Sequence, residues 1–89
     1  MTEEQEQAPT RRTSVTAILA SKEFAEGVRD VRLGRPPRYD DPVASSWNYE
    51  RGRQWALLAP LSMPLKIGGK VNREAAFLFL RATRSKEIL

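Results

Sequence analysis

The sequence predicts a small all-α domain: two helices crossing at glycines to form the core, a third helix at the C-terminal end, and a disordered acidic tail in front. Three observations predict it. A short device occurs twice between Phe24 and Ala56: an aromatic residue, a glycine three positions on, and an apolar residue four further on. The copies are Phe24, Gly27, Val31 and Tyr49, Gly52, Ala56. Positions i, i+3 and i+7 share one helical face, so each glycine lies inside an apolar stripe. A mid-helix glycine costs ~1 kcal/mol against alanine, so its place on a buried stripe implies close approach of another helix. Next, Gly34-Arg35-Pro36-Pro37 separates the copies and must end the first helix. Finally, Asn72 stands directly before Arg73–Arg84 and supplies an N-cap.

Taken in order, residues 1–12 are polar, with Glu3, Glu4 and Glu6 and no apolar face, and read as a tail. Residues 13–20 are open between strand, because TSVTAILA is rich in β-branched residues, and the start of a helix. The first helix is expected to open between Thr16 and Ser21, with Ser21 a candidate N-cap, and to run to Leu33. Its buried stripe is Phe24, Gly27, Val28 and Val31. Lys22, Arg29 and Arg32 lie on one flank and Glu23, Glu26 and Asp30 on the other, which reads as a solvated surface of paired charges. Asp41-Pro42 predicts a second helix over 42–58, with Ser45 or Ser46 as a later cap. That helix carries Tyr49, Gly52 and Ala56 on one face and Trp47 and Leu58 on the other. It is expected to pack between neighbours; the other reading leaves Trp47 free for a partner. Leu61–Lys70 reads as a connector broken by Pro64 and Gly68-Gly69. The third helix is expected over 72–84, although the run 75–80 is apolar enough to be a strand.

Composition narrows the function. The 89 residues make one domain at most. There is no cysteine and no histidine, which removes disulfides, zinc fingers, thiol nucleophiles and imidazole bases. No clustered carboxylates or metal ligands stand out, so the chain is not expected to be an enzyme and no catalytic residue, metal or cofactor is assigned. Gly69-Lys70 lacks the first glycine of a phosphate loop and has Val71 where Ser or Thr is required. No run is long enough to span a membrane, and with no signal region a cytoplasmic setting is expected. Outside residues 1–10 the chain carries 15 bases against 8 acids, and 11 of the bases are arginine. That balance suits nucleic acid, an anionic membrane surface or an acidic protein.

From Gly27-x6-Gly34-Arg35, through a proline-containing loop, to Tyr49, Gly52 and Ala56, the sequence resembles bacterial ribosome modulation factor and its small relatives. Those proteins have an aromatic-flanked glycine helix, a Gly-Arg stop and a second helix with Trp-x-x-Gly-Trp-like spacing. The chain differs in lacking the Cys-Pro-Tyr of the family loop and in having an acidic tail and a third helix. The resemblance implies a compact helical pair that binds the ribosome through ribosomal RNA in a stress or dormancy role. It carries over Gly34, Arg35, Tyr49 and Gly52, mainly as structural positions.

The candidate RNA contacts are Arg32, Arg35, Arg38, Tyr39, Trp47, Arg51 and Arg53. Arginine holds phosphate and exposed aromatics stack on unpaired bases. Phe24, Gly27, Val31, Gly34, Tyr49, Gly52, Trp55 and Ala56 are expected to be structural. The alternative is a protein adaptor or inhibitor that anchors its partner on Trp47 and the strip Phe77–Leu80.

Overall fold

Ser21 divides the N-terminal helical stretch in two. In a computed structural model, which describes residues 14–40 and 46–88, α1 spans Val15–Ala20 and α2 spans Lys22–Arg32. Ser21 has extended backbone, ends α1 by donating its hydroxyl to Ile18 O (2.8 Å), and opens α2 by accepting from Phe24 N (3.2 Å). Residues 15–20 are therefore helix despite their β-branched content. Ser14 caps them through Ala17 N at 3.0 Å. The expected tail over residues 1–12 lies outside the described residues.

α2 ends as its sequence requires. Gly34 takes φ +73, which only glycine adopts without strain. Its N–H donates to Val31 O (3.0 Å) and that of Arg35 to Asp30 O (2.7 Å), the paired bonds of a Schellman stop. The next helix, α3, spans Trp47–Leu58 behind Ser46, whose hydroxyl accepts from Tyr49 N (3.2 Å). The later cap is the one used; the proposed opening over 42–45 lies outside the described residues.

The connector holds one element that the sequence reading omits. β1 (Lys66–Ile67) and β2 (Lys70–Val71) form a two-stranded antiparallel hairpin, pairing Lys66 with Val71 and Ile67 with Lys70. Gly68 and Gly69, at φ +60 and +79, close it with a two-residue turn of the primed type. Asn72 then caps α4, Arg73–Arg84, accepting from Glu74 N and donating to Pro64 O at 2.9 Å. The fold is mainly helical with this small hairpin added.

Helices α2 and α3 lie backbone to backbone. A Cβ on Gly27 would collide with the Tyr49 carbonyl, and one on Gly52 with that of Phe24. On either side of the contact Phe24, Tyr49 and Trp55 have no exposed surface, while Val31 is half-buried. α4 closes the core from the Trp55 side. Phe79 meets Phe24 edge-on at 5.7 Å, and Trp55 Nε1 donates to Ala75 O at 3.1 Å. The outer face of α3 is uncovered: Trp47 keeps 67% of its surface exposed. The expectation of a helix packed between neighbours thus fails along that stripe, because α4 reaches only the Trp55 side.

Candidate nucleic-acid interface

The loop after α2 does not extend into solvent. The Schellman stop and Pro36-Pro37 return it to α3, and Arg38 N–H donates to Tyr49 Oη at 3.3 Å. This places the Arg38 guanidinium on two carboxylates. Its Nε donates to Asp30 Oδ2 (2.9 Å) and its Nη2 to Glu26 Oε1 (2.7 Å). Tyr49 Oη donates to the same Asp30 oxygen at 2.6 Å. Arg35 Nη1 stands 3.6 Å from Asp30 Oδ1. Asp30 itself is fully buried. Placing it on a solvated flank is therefore a misreading of α2: the residue is the centre of a buried polar network that ties helix, loop and α3 together.

The ionisation of this network follows from its contacts. Burial alone would raise the Asp30 carboxyl. Hydrogen bonds from Tyr49 and Arg38, with the charges of Arg38 and Arg35, outweigh it and hold the carboxyl below its ordinary value. Arg38 is shifted up by the two carboxylates it bonds. Tyr49 is pushed up by burial and by its bond to Asp30. A second cluster flanks the first. Tyr39 Oη donates to Glu50 Oε1 (2.7 Å) and accepts from Arg53 Nη1 (3.2 Å), and Tyr39 packs edge-on against Tyr49 at 6.3 Å. The Glu50 carboxylate pushes Tyr39 up.

These contacts divide the seven residues expected to touch RNA. Arg32, Arg38 and Arg53 are occupied within the fold. Arg32 donates to Met63 O (2.7 Å) and Pro60 O (3.3 Å) and lies 5.3 Å from the Trp55 ring, so it braces the connector instead of facing outward. Arg53 is bound to Glu50 and Tyr39, with 17% of its side chain exposed. Arg35, Tyr39 and Trp47 are exposed, and Arg51, bonded to Asn48 Oδ1 at 3.1 Å, is half-buried. Trp47 and Arg51 lie four residues apart on the uncovered stripe of α3.

A second group of cations escaped the sequence reading. Lys66 and Lys70 of the hairpin and Arg73 at the start of α4 line one recess of about 440 Å³ together with Thr16 and Ala76. All three are exposed, and none has a side-chain partner among the described residues. The signal was present in the sequence: residues 51–73 contain five bases, Arg51, Arg53, Lys66, Lys70 and Arg73, and no acid. Arginine density near aromatic residues drew attention to the loop, where the acids Glu26, Asp30 and Glu50 neutralise it.

Among the described residues no group of three or more acidic, histidine or cysteine side chains could hold a metal ion. Among the same residues no helix is long and apolar enough to cross a membrane. Comparison of the chain with protein-family models, curated proteins and solved structures gives no match.

Proposed function

We propose that this chain is a small RNA-binding regulatory protein acting on the ribosome, without catalysis of its own. The observation that carries the reading is the hairpin recess. Lys66, Lys70 and Arg73 present three exposed cations around one concavity, without a side-chain partner among the described residues, and residues 51–73 contain no acid. Exposed cations without intramolecular partners supply the sequence-independent part of nucleic-acid affinity. The scaffold in this reading is the crossing of α2 and α3 at Gly27 and Gly52. Trp47, with Arg51 one turn on, adds a stacking contact. The resemblance to ribosome modulation factor makes ribosomal RNA the expected target and a dormancy or stress role the expected setting.

Co-sedimentation with ribosomes over a salt series tests it. Reversing Lys66, Lys70 and Arg73 together to glutamate is expected to abolish co-sedimentation without changing helicity. Each phosphate interaction removed lowers the slope of log K against log salt by roughly 0.7 on single-stranded RNA, so the single variants Lys66→Gln, Lys70→Gln and Arg73→Gln, which still bind, should each lose roughly that much. Trp47→Ala is expected to weaken binding with little change of slope. Wild-type protein that stays in the supernatant at about 50 mM salt refutes the proposal, since electrostatic affinity is near its greatest there. Arg38→Glu is no test of binding, because Arg38 holds the Asp30 network. The adaptor reading is favoured by a different observation, the exposed ring of Phe77 on α4.

A further inference from the structure

The outer face of α4 is apolar at its centre and charged at its ends. Phe77 is 70% exposed in mid-helix. Beside it runs a groove of about 650 Å³, walled by Leu58, Pro60, Met63 and Leu78. Glu74 and Arg81 also line this groove, on either side of Phe77 along α4. They are seven residues apart, hence on one helical face. Neither side chain has an ion pair or hydrogen bond among the described residues. Leu58 and Leu61 add exposed apolar surface on the neighbouring elements.

We infer that two copies of this chain pair through this face, with α4 antiparallel to α4 of the second copy, each Phe77 entering the other's groove. The charge pattern selects the occupant and its direction. The midpoint between Glu74 and Arg81 falls between Phe77 and Leu78. A twofold axis there sets Glu74 of each copy against Arg81 of the other, so one geometric operation pairs both charges on both chains. The same register puts Arg73 opposite Ala82, so within the paired length of the two helices no two like charges stand at one level. Parallel pairing would set Glu74 on Glu74 and Arg81 on Arg81, which repel. An aromatic anchor in a groove, rimmed by complementary charge, is the arrangement that association surfaces use. The pairing is independent of RNA, since it uses none of Lys66, Lys70 or Arg73.

Sedimentation equilibrium of the full chain, without RNA, measures the pairing. The wild type is expected to show a monomer–dimer equilibrium in the micromolar range. Phe77→Glu, Glu74→Arg and Arg81→Glu should each weaken it by roughly tenfold or more, because every substitution acts twice across the axis. Phe77 is exposed, so Phe77→Glu should leave melting of the monomer unchanged. Two results separate this face from any other occupant. Glu74→Arg combined with Arg81→Glu in one chain should restore the dimer. Mixing the two single variants should give a heterodimer in preference to either homodimer, since one chain then supplies two cations and the other two carboxylates. A monomer at high micromolar concentration overturns the inference. So does a dimer indifferent to Phe77→Glu, or charge reversal without rescue, either of which assigns the groove to another protein or to another segment of this chain.

Discussion

Replacing Gly52 with alanine sets two effects of opposite sign against each other. Gly52 lies in the middle of α3, where alanine gains ~1 kcal/mol of helix propensity. If the site were open, Gly52→Ala would stabilise the protein by about that amount. The structure opposes it with main chain. A Cβ at Gly52 would collide with the Phe24 carbonyl oxygen and stand 2.9 Å from Phe24 C and 3.1 Å from its Cα. Neither is the far end of a flexible side chain, so α2 itself must move, and it carries Phe24 and Val28 of the core. Overpacking costs about 1–3 kcal/mol where side chains can adjust, and an obstacle made of backbone belongs at the upper end. The expected net effect is a loss of about 2 kcal/mol, or roughly 10 °C in melting temperature for a domain of this size. Thermal and urea unfolding followed by far-UV circular dichroism measures it. Gly34→Ala is the control: nothing lies within 4 Å of its Cβ position, and only the φ of +73 opposes the substitution, for about 1 kcal/mol. If Gly52→Ala is neutral or stabilising, the close approach of α2 and α3 is wrong.

Two further outcomes follow from the network and from the last helix stop. Asp30→Asn should destabilise the fold by about 2 kcal/mol, below the usual cost of breaking a buried pair because Arg38 is partly exposed and retains Glu26. The Asp30 carboxyl is depressed in the folded state, so its stabilisation is present above the ordinary carboxylate range and is lost as pH falls below about 4. Urea titrations in acid should show that loss in the wild type and a flatter profile in Asp30→Asn. Lys86 has φ +64 at the stop of α4, where Glu87 N–H donates to Ala82 O at 2.8 Å and Ile88 returns to the core. Lys86→Gly should therefore stabilise by about 1 kcal/mol, and a loss of stability would mean that the lysine side chain contributes something the backbone does not explain.

The helical framework was legible because its signals are local. Ser21, Gly34, Ser46 and Asn72 act on residues within one turn, and their effect can be read from spacing alone. The hairpin was half legible: Gly68-Gly69 marks a turn, but strands of two residues are too short to show alternation. Asp30 was illegible for a different reason. On the helical wheel it shares a flank with Glu23 and Glu26, and nothing in α2 distinguishes it. Its burial comes from Tyr49 and Arg38, 19 and 8 residues away, which reach it only after the Gly34 stop has turned the chain.

The same pairing separates the arginines that the fold occupies from the cations that it leaves exposed. An arginine is available to phosphate only if no carboxylate in the fold claims it first, and claims are made in space. Arg38 reaches Glu26 on α2, and Arg53 reaches Glu50 one turn back on its own helix. Lys66, Lys70 and Arg73 have none among the described residues, and residues 51–73 contain no acid. In a nearly balanced chain, a base with no carboxylate near it in space is thus a better guide to available positive charge than a count of arginines: Arg53 lies in the acid-free run and is still taken by Glu50 just before it. The guide also makes a distinction that mutagenesis can reach. Charge reversal at Lys66, Lys70 and Arg73 should change binding and leave stability intact, whereas reversal at Arg38 should lower stability first, and binding only as a consequence.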